Sequence, residues 1–395
     1  MSKNQLISLH IQNFRSLADV KLNIANLLVL FGPNGAGKST CLDALCLARD
    51  CAVFGVDKAL SSRNQGTGAI WEGAKEDDAI VIAIETHHAL YKIALGYSNN
   101  QINPLLGESL YSKSSERFLI KRQIGHVDVG FVDNPPATLK EPKQLSLSQY
   151  ANQIPLLAEI NQLLHQVHYY PARSAQFHRL RQPHSQTHSG TTQLNENGDN
   201  LWYVLHQLYE KRFVDKRYDT ILTFMQESFP TFRGLTFEPI QPGIVSAHLI
   251  EKGRHQPLDV FGIADSYLQM LLHLTALFSE QDDKALILLD EPEMSLHPWA
   301  LSVLADAIET ATQKWHKQIL IATQSPVLIS QFGLESIFTA EQNKTGQTVI
   351  TQVSEIEEIQ DLLDDYAAGS LYMAESIAPQ SKRLEIPAVY ETEGM

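Results

Sequence analysis

The stretch FGPNGAGKST, Phe31 to Thr40, decides how this chain of 395 residues is read. Gly32 opens a GxxxxGK[ST] pattern. Pro33, Asn34, Gly35 and Ala36 fill its turn, and Gly37, Lys38, Ser39 and Thr40 close it. The apolar run Leu27-Leu28-Val29-Leu30 stands before the pattern, and from Lys38 onward Leu42, Leu45 and Leu47 follow a helical spacing. Strand, Gly-rich loop and helix form the context that a phosphate-binding P-loop requires. Glycines let backbone N–H groups turn inward on a polyanion, and the helix N-terminus adds its dipole. Lys38 is then placed for the β- and γ-phosphates, and the Ser39 hydroxyl for Mg²⁺. The chain is expected to bind a nucleotide.

A hydrophobic fraction of 44% and a charged fraction of 19% describe an ordinary globular protein with ample core. The net charge of −14 argues against coating nucleic acid through an overall field. Apolar runs such as 285–289 are far too short to span a membrane, and the start MSKNQLISLH has no signal-peptide core. Cys41, Cys46 and Cys51 recur every five residues around one expected helix, so reduced thiols in a cytoplasmic protein are expected rather than a metal site or disulfide.

Outward from the P-loop, residues 6–11, 20–24 and 27–31 read as strands. A β-rich section follows, with strands over 79–86, 88–96, 118–124 and 127–132. Helical pattern covers 145–165, and a strand over 167–170 ends at Pro171. Residues 173–197 are polar and read as a long mobile loop. Gly198-Asp199-Asn200 introduces an amphipathic helix running over 201–225. Two strands flank Gly243, over 234–238 and 244–250. From Val260 onward, strands and helices alternate as in a parallel sheet.

The run KALILLDEPEMSLHP, 284–298, supplies the second half of a nucleotide site. Five successive apolar residues describe a strand buried on both faces, ending in Asp290-Glu291. Carboxylates at the carboxyl end of such a strand lie in the crevice where ligands bind. Asp290 is placed to orient Mg²⁺, and Glu291 to take a proton from the water attacking the γ-phosphate. The plainer alternative is an acidic strand end capping the next helix. A further strand, 318–322, ends in Thr323-Gln324-Ser325-Pro326. Gln324 there is placed to sense the γ-phosphate, while Ser325 and Pro326 also suit an ordinary helix start.

With these motifs the chain resembles ABC-type ATPases of the RecF, OLD and SMC lineage, and within it the standalone AAA-type ATPases without an appended nuclease domain. The segments carrying the resemblance are IQNFRSL (11–17), GPNGAGKST, NENGDNLWYVLHQL (195–208), LLDEPEMSLHPWA, IATQSPVLI (321–329) and DDYAAGSLY (364–372). The resemblance implies an α/β P-loop head with a mixed sheet and an inserted β-rich plus helical lobe. Residues 1–170 would form the first half of the head, 171–232 the loop and helical insertion, and 233–395 the second half. It implies ATP and Mg²⁺ as cofactors. It also implies a homodimer in which each P-loop is completed by the partner's signature segment, matched here by Ala264, Asp265 and Ser266. Relatives carry Leu-Ser-Asp-Gly-Thr in that register. The change puts dimer-dependent hydrolysis in doubt more than nucleotide binding. By position, Gln176 or Arg173 falls where a Q-loop would couple Mg²⁺ to the insertion. Arg15 reads either as a phosphate contact or as a surface arginine.

The function implied is Mg²⁺-dependent ATP hydrolysis gating a dimer, in DNA repair or phage defence. The alternative is an ATP-dependent switch or scaffold that recruits an effector protein. Residues 160–195 hold no acidic residue but carry Arg173, Arg179, Arg181 and several histidines. Such a segment is either a DNA-phosphate contact or a solvated loop. A zinc site at His178, His184 and His188 lacks a completing ligand.

Overall fold

A computed structural model of the chain describes residues 5–75, 78–99, 101–104, 106–131, 137–174, 177–181, 193–241, 244–279, 285–363 and 365–379. Its centre is a six-stranded mixed sheet in the order Val167–Pro171, Leu286–Asp290, Gln318–Thr323, Leu27–Phe31, Ile337–Gln342, Thr348–Gln352. The first five strands are parallel and the last is antiparallel.

Why these residues make such a sheet is visible in where their side chains go. Successive residues of a strand point to opposite faces. Ile287 and Leu289 enter one core with Val29, Phe31, Ile319 and Ile321. Leu286 and Leu288 enter the other with Leu28, Leu30, Leu320 and Ala322. An unbroken apolar run is what a strand covered on both sides needs.

The P-loop helix, Lys38–Phe54, covers the second core. Beyond it lies an antiparallel sheet, eight-stranded among the described residues: Ala137–Thr138, Asp128–Phe131, Arg117–Arg122, Gly107–Ser112, Ala89–Leu95, Ile80–Glu85, Ser8–Phe14, Leu17–Asn23. The helix thus lies between two sheets and is buried almost all round. Burial pushes the Cys41 and Cys51 thiols up to about 12 and Cys46 in the same direction. These are inert packing groups. The first core is closed by helices Leu201–Glu210, Arg217–Ser228, Asp265–Phe278 and Pro298–Gln313.

Several expectations are corrected here. The pattern over 201–225 is two helices, because a turn at Phe213 and Val214, 85% and 90% exposed, interrupts it. Their side chains share the core of the central sheet. The pattern over 145–165 also divides, into Ser146–Tyr150 and Pro155–His165, with Pro155 starting the second helix. Of the polar stretch 173–197, residues 175–176 and 182–192 lie outside the described residues, His184 and His188 included. The rest is ordered structure: a 3₁₀ turn Ala172–Ser174, a helical turn Phe177–Leu180 and a turn from Asn195 to Asn200. In that last turn the buried Asn200 amide donates to the Gln193 carbonyl, and its oxygen accepts from the Asn195 N–H. The strands Gly107–Ser112, Ile337–Gln342 and Thr348–Gln352 were not expected from the sequence.

The antiparallel sheet is pinned by a fully buried ion pair, Arg122–Glu108, whose side chains are both 0% exposed. Glu108 also accepts from the Tyr91 hydroxyl at 2.5 Å and from the Ser146 N–H and hydroxyl. Arg122 donates to the carbonyls of His126, Pro142 and Gln144. Removing one partner strands the other charge, a loss of about 3–5 kcal/mol. Arg122→Met should lower unfolding stability by that order in a urea titration, and Arg122→Met/Glu108→Gln by less. A single-variant loss under about 1 kcal/mol would contradict the pinning role.

Candidate functional site

Parallel pairing aligns the carboxyl ends of four strands. Asp290 pairs in register with Pro171 on one side and Ala322 on the other, and Ala322 pairs with Leu30. The acids that end one strand therefore stand beside the loop that leaves the P-loop strand. The Ser39 hydroxyl donates to Asp290 Oδ1 at 2.8 Å, across 251 residues of sequence. The Tyr169 hydroxyl donates to Asp290 Oδ2 at 2.9 Å.

Lys38 is buried, and its Nζ donates to the Gly32 and Pro33 carbonyls at 2.7 and 2.8 Å. Burial lowers its pKa, while Glu291, Asp290 and Glu293 act in the opposite sense. Burial also raises Asp290 and Glu293 above the usual carboxylate range. Glu291 accepts from Gln324 Nε2 at 2.9 Å and from the Arg173 fork at 2.7 and 3.1 Å. The Gln324 N–H donates to Glu293 at 2.7 Å. Glu291 and Ser295 both hold positive φ, 53° and 63°. Non-glycine residues in that region cost about 1–3 kcal/mol each and cluster at functional sites.

The P-loop itself is braced from the far end of the chain. The Thr348 hydroxyl donates to the Ala36 carbonyl at 3.0 Å and lies 2.8 Å from the Ser16 hydroxyl. Gln342 Nε2 donates to the Gly35 carbonyl at 2.9 Å. Gly32 and Gly37 are required by this close packing. A Cβ on Gly32 would sit 2.1 Å from the Ala340 carbonyl oxygen, and one on Gly37 would sit 2.3 Å from Thr348 Oγ1. Pro33, Asn34, Gly35 and Ala36 form the turn, and Thr40 follows Ser39 in the helix's first turn.

Arg15 lies at the rim of a cavity of about 560 Å³ lined also by Ser16, Trp71, Thr345 and Gln347. Its guanidinium pairs with Asp43 at 2.9 Å. From Asp43 an alternating chain of charges runs along the back of the P-loop helix through Arg63, Asp50 and Arg49 to Glu196. Glu196 belongs to the NENGDNL segment, which the chain of charges ties to the P-loop helix.

The signature-like residues start another helix: Ala264 is extended, and Asp265 and Ser266 open Asp265–Phe278. Asp265 pairs with Arg181, which also donates to the Ile263 carbonyl at 2.9 Å. Gln176 lies outside the described residues, as does Asp364 at the start of the tail motif. Tyr169, Thr348, Ser16 and Gln342 have no place among the sequence-expected site residues, and Arg181, expected as a DNA-phosphate contact or as solvated, pairs with Asp265. Tyr169 had a local signal, three residues before the Ala172–Ser174 turn on the strand beside the acids; Thr348 had none.

The family model described as "AAA domain, putative AbiEii toxin, Type IV TA system" matches residues 27–330. The chain belongs to this AAA family. No curated protein matches it. Solved structures with a similar course include the SMC head domain from Thermotoga maritima, at 11% identity and TM-score 0.41, covering 88% of this chain and 99% of that one. An SmcHead bound to the C-winged helix domain of ScpA aligns at 12% identity and TM-score 0.49, covering 90% and 99%. An Smc head domain with an extended coiled coil, bound to the C-terminal domain of ScpA from Pyrococcus furiosus, gives 10% and 0.45, covering 91% and 99%. Among the described residues, no helix of this AAA-family chain is long and apolar enough to cross a membrane.

Behind the acids of this AAA domain sits His273, on the Asp265–Phe278 helix. Its Nε2 lies 3.1 Å from the Pro292 carbonyl, to which it donates, so the helix holds the loop that follows Glu291. Burial pulls His273 down to about 4, so the ring is neutral. A histidine lowered on folding supports stability above its unfolded pKa, near 6.5, and withdraws that support as pH falls toward 4. The full loss is on the order of 3 kcal/mol. Urea midpoints measured from pH 7.5 to 4.5 should fall less steeply in His273→Met than in wild type; parallel slopes would contradict a buried neutral ring.

Proposed function

We propose that this chain is a Mg²⁺-dependent ATPase of the RecF, OLD and SMC lineage, working as an ATP-gated homodimer in DNA repair or phage defence. The observation that supports this most is the 2.8 Å contact between Ser39 of the P-loop and Asp290 of the acid strand. Two sequence-distant segments supply, at one point, the hydroxyl and the carboxylate that P-loop ATPases use for Mg²⁺. Hard oxygen donors in that number suit Mg²⁺, which keeps several waters and takes few protein ligands. Ser39 and Asp290 would hold the ion, and bound there it would neutralise charge between the β- and γ-phosphates.

In this reading the P-loop N–H groups from Asn34 to Thr40 and the Lys38 ammonium bind the triphosphate. Glu291 accepts the proton of the attacking water, and Gln324, 2.9 Å from its carboxylate, orients that water. Arg15 and the cavity beside it take the remainder of the nucleotide. Ala264, Asp265 and Ser266 complete the partner's site in the dimer.

A second reading, an ATP-dependent switch that recruits an effector without turnover, is favoured by one observation. Asp265 of the signature-like turn is paired with Arg181, and Ala264 brings no hydroxyl.

Calorimetry and mass measurement test the first reading. Lys38→Ala should abolish ATP binding, and Glu291→Gln should bind ATP and accumulate as a dimer with turnover reduced at least about 100-fold. Wild-type turnover in Glu291→Gln would remove the base assignment. Absent turnover in the wild-type protein, with and without DNA, would support the switch. DNA binding that does not weaken with salt would remove the phosphate-contact reading of Arg173, Arg179 and Arg181.

A further inference from the structure

We infer that Arg173 is a second catalytic cation of this site: its guanidinium rests on Glu291 and transfers to the γ-phosphate when ATP binds. The inference rests on the ATPase reading above and adds a residue to it.

Arg173 stands on the 3₁₀ turn Ala172–Ser174, directly after the strand whose last residue, Pro171, pairs with Asp290. Its Nε donates to Glu291 Oε2 at 2.7 Å and its Nη2 to Oε1 at 3.1 Å, while Gln324 takes Oε1 at 2.9 Å. A carboxylate offers about four acceptor positions. Three are engaged in this arrangement, which leaves little room for the proton of an attacking water. Glu291 becomes the stronger and more open base when one of these donors leaves.

Magnitudes select the donor. Glu291 is fixed: its N–H is bonded to the Ala322 carbonyl, and its side chain is 17% exposed. Arg173 is 73% exposed, and among the described residues its hydrogen bonds go to Glu291. The guanidinium end of the pair is open to solvent, so water replaces its hydrogen bonds when it leaves, which makes Arg173 the donor easier to release. The neighbouring arginines are anchored instead. Arg181 is held by the Ile263 carbonyl and Asp265, and Arg49 lies buried between Asp50 and Glu196. Lys38 is buried on two carbonyls, so it is the stationary cation and Arg173 the transferable one.

A γ-phosphate presents the same forked acceptor geometry with more charge. The exchange would clear an oxygen of Glu291 and bring a guanidinium to the group on which charge develops. Sequence shows the arginine but not its partner, 118 residues away.

The test compares ADP with a non-hydrolysable ATP analogue carrying an imido bridge, each with Mg²⁺, by calorimetry. Wild type, Arg173→Ala and Arg173→Lys are used, and kcat is measured in parallel. Arg173→Ala should lose about 10- to 100-fold in affinity for the ATP analogue, with ADP affinity unchanged within about twofold, because only the first has the γ-phosphate to bond. Its kcat should fall by about 10³-fold, the scale of a missing arginine on a transferring phosphoryl group, and Arg173→Lys should restore part of both. Equal changes for the two nucleotides, or none, would show that Arg173 stays on Glu291 and overturn the inference. A rise in kcat would also overturn it, leaving Arg173 as a restraint alone. Lys38→Ala retaining nucleotide affinity would instead sink the P-loop reading, whatever Arg173 does.

Discussion

The parallel register of three strands is the constraint on which the rest of this molecule depends. Leu27–Phe31, Gln318–Thr323 and Leu286–Asp290 are buried on both faces, and each contributes alternate side chains to two separate cores. A shift of one residue would send every apolar side chain of a strand to the opposite core. Their carboxyl ends are therefore fixed relative to one another to within less than one residue's rise, about 3.3 Å. Ser39, Asp290, Glu291 and Gln324 are brought together by this register, although they come from three separate stretches of the sequence. Charge that is costly to bury is tolerated there because each group has a partner: Lys38 its two carbonyls, Asp290 two hydroxyls, Glu291 a guanidinium and an amide.

The same principle runs outward. The P-loop helix lies between two sheets, and its Asp43, Asp50 and Arg49, together with Arg63, form a run of paired charges that connects Arg15 with the NENGDNL turn. The C-terminal hairpin closes on the P-loop through Thr348 and Gln342, so that the Gly35 and Ala36 carbonyls are held from that side while Lys38 holds those of Gly32 and Pro33. His273 and two positive-φ residues keep the segment after the acids in a conformation the chain would not adopt locally.

What was legible in the sequence follows from range. The P-loop strand, its helix and the acid strand could be read because each announces itself within ten residues: a glycine pattern, or five apolar residues ending in acid. Strand edges such as Thr348–Gln352, and the hydroxyl of Thr348 on Ala36, could not, because nothing local distinguishes TVITQ from any exposed strand. The stretch 201–225 reads as one helix because Ile221 and Met225 are apolar at the right period; the turn between its halves exposes Phe213 and Val214, where pattern alone expects burial. Charge partners were the least legible of all. Arg173 with Glu291, Arg181 with Asp265 and Tyr169 with Asp290 are set by tertiary placement, and an arginine in a polar stretch reads the same whether paired or solvated.

The central claim is that the two sequence-distant halves enclose one metal–triphosphate site. Anomalous diffraction from crystals grown with Mn²⁺ and the imido ATP analogue measures this directly. The account predicts a manganese peak at about 2 Å from Ser39 Oγ, adjacent to the Asp290 carboxylate, with the triphosphate between it and Lys38. A peak held by other residues, or a triphosphate lying away from the P-loop, would contradict it.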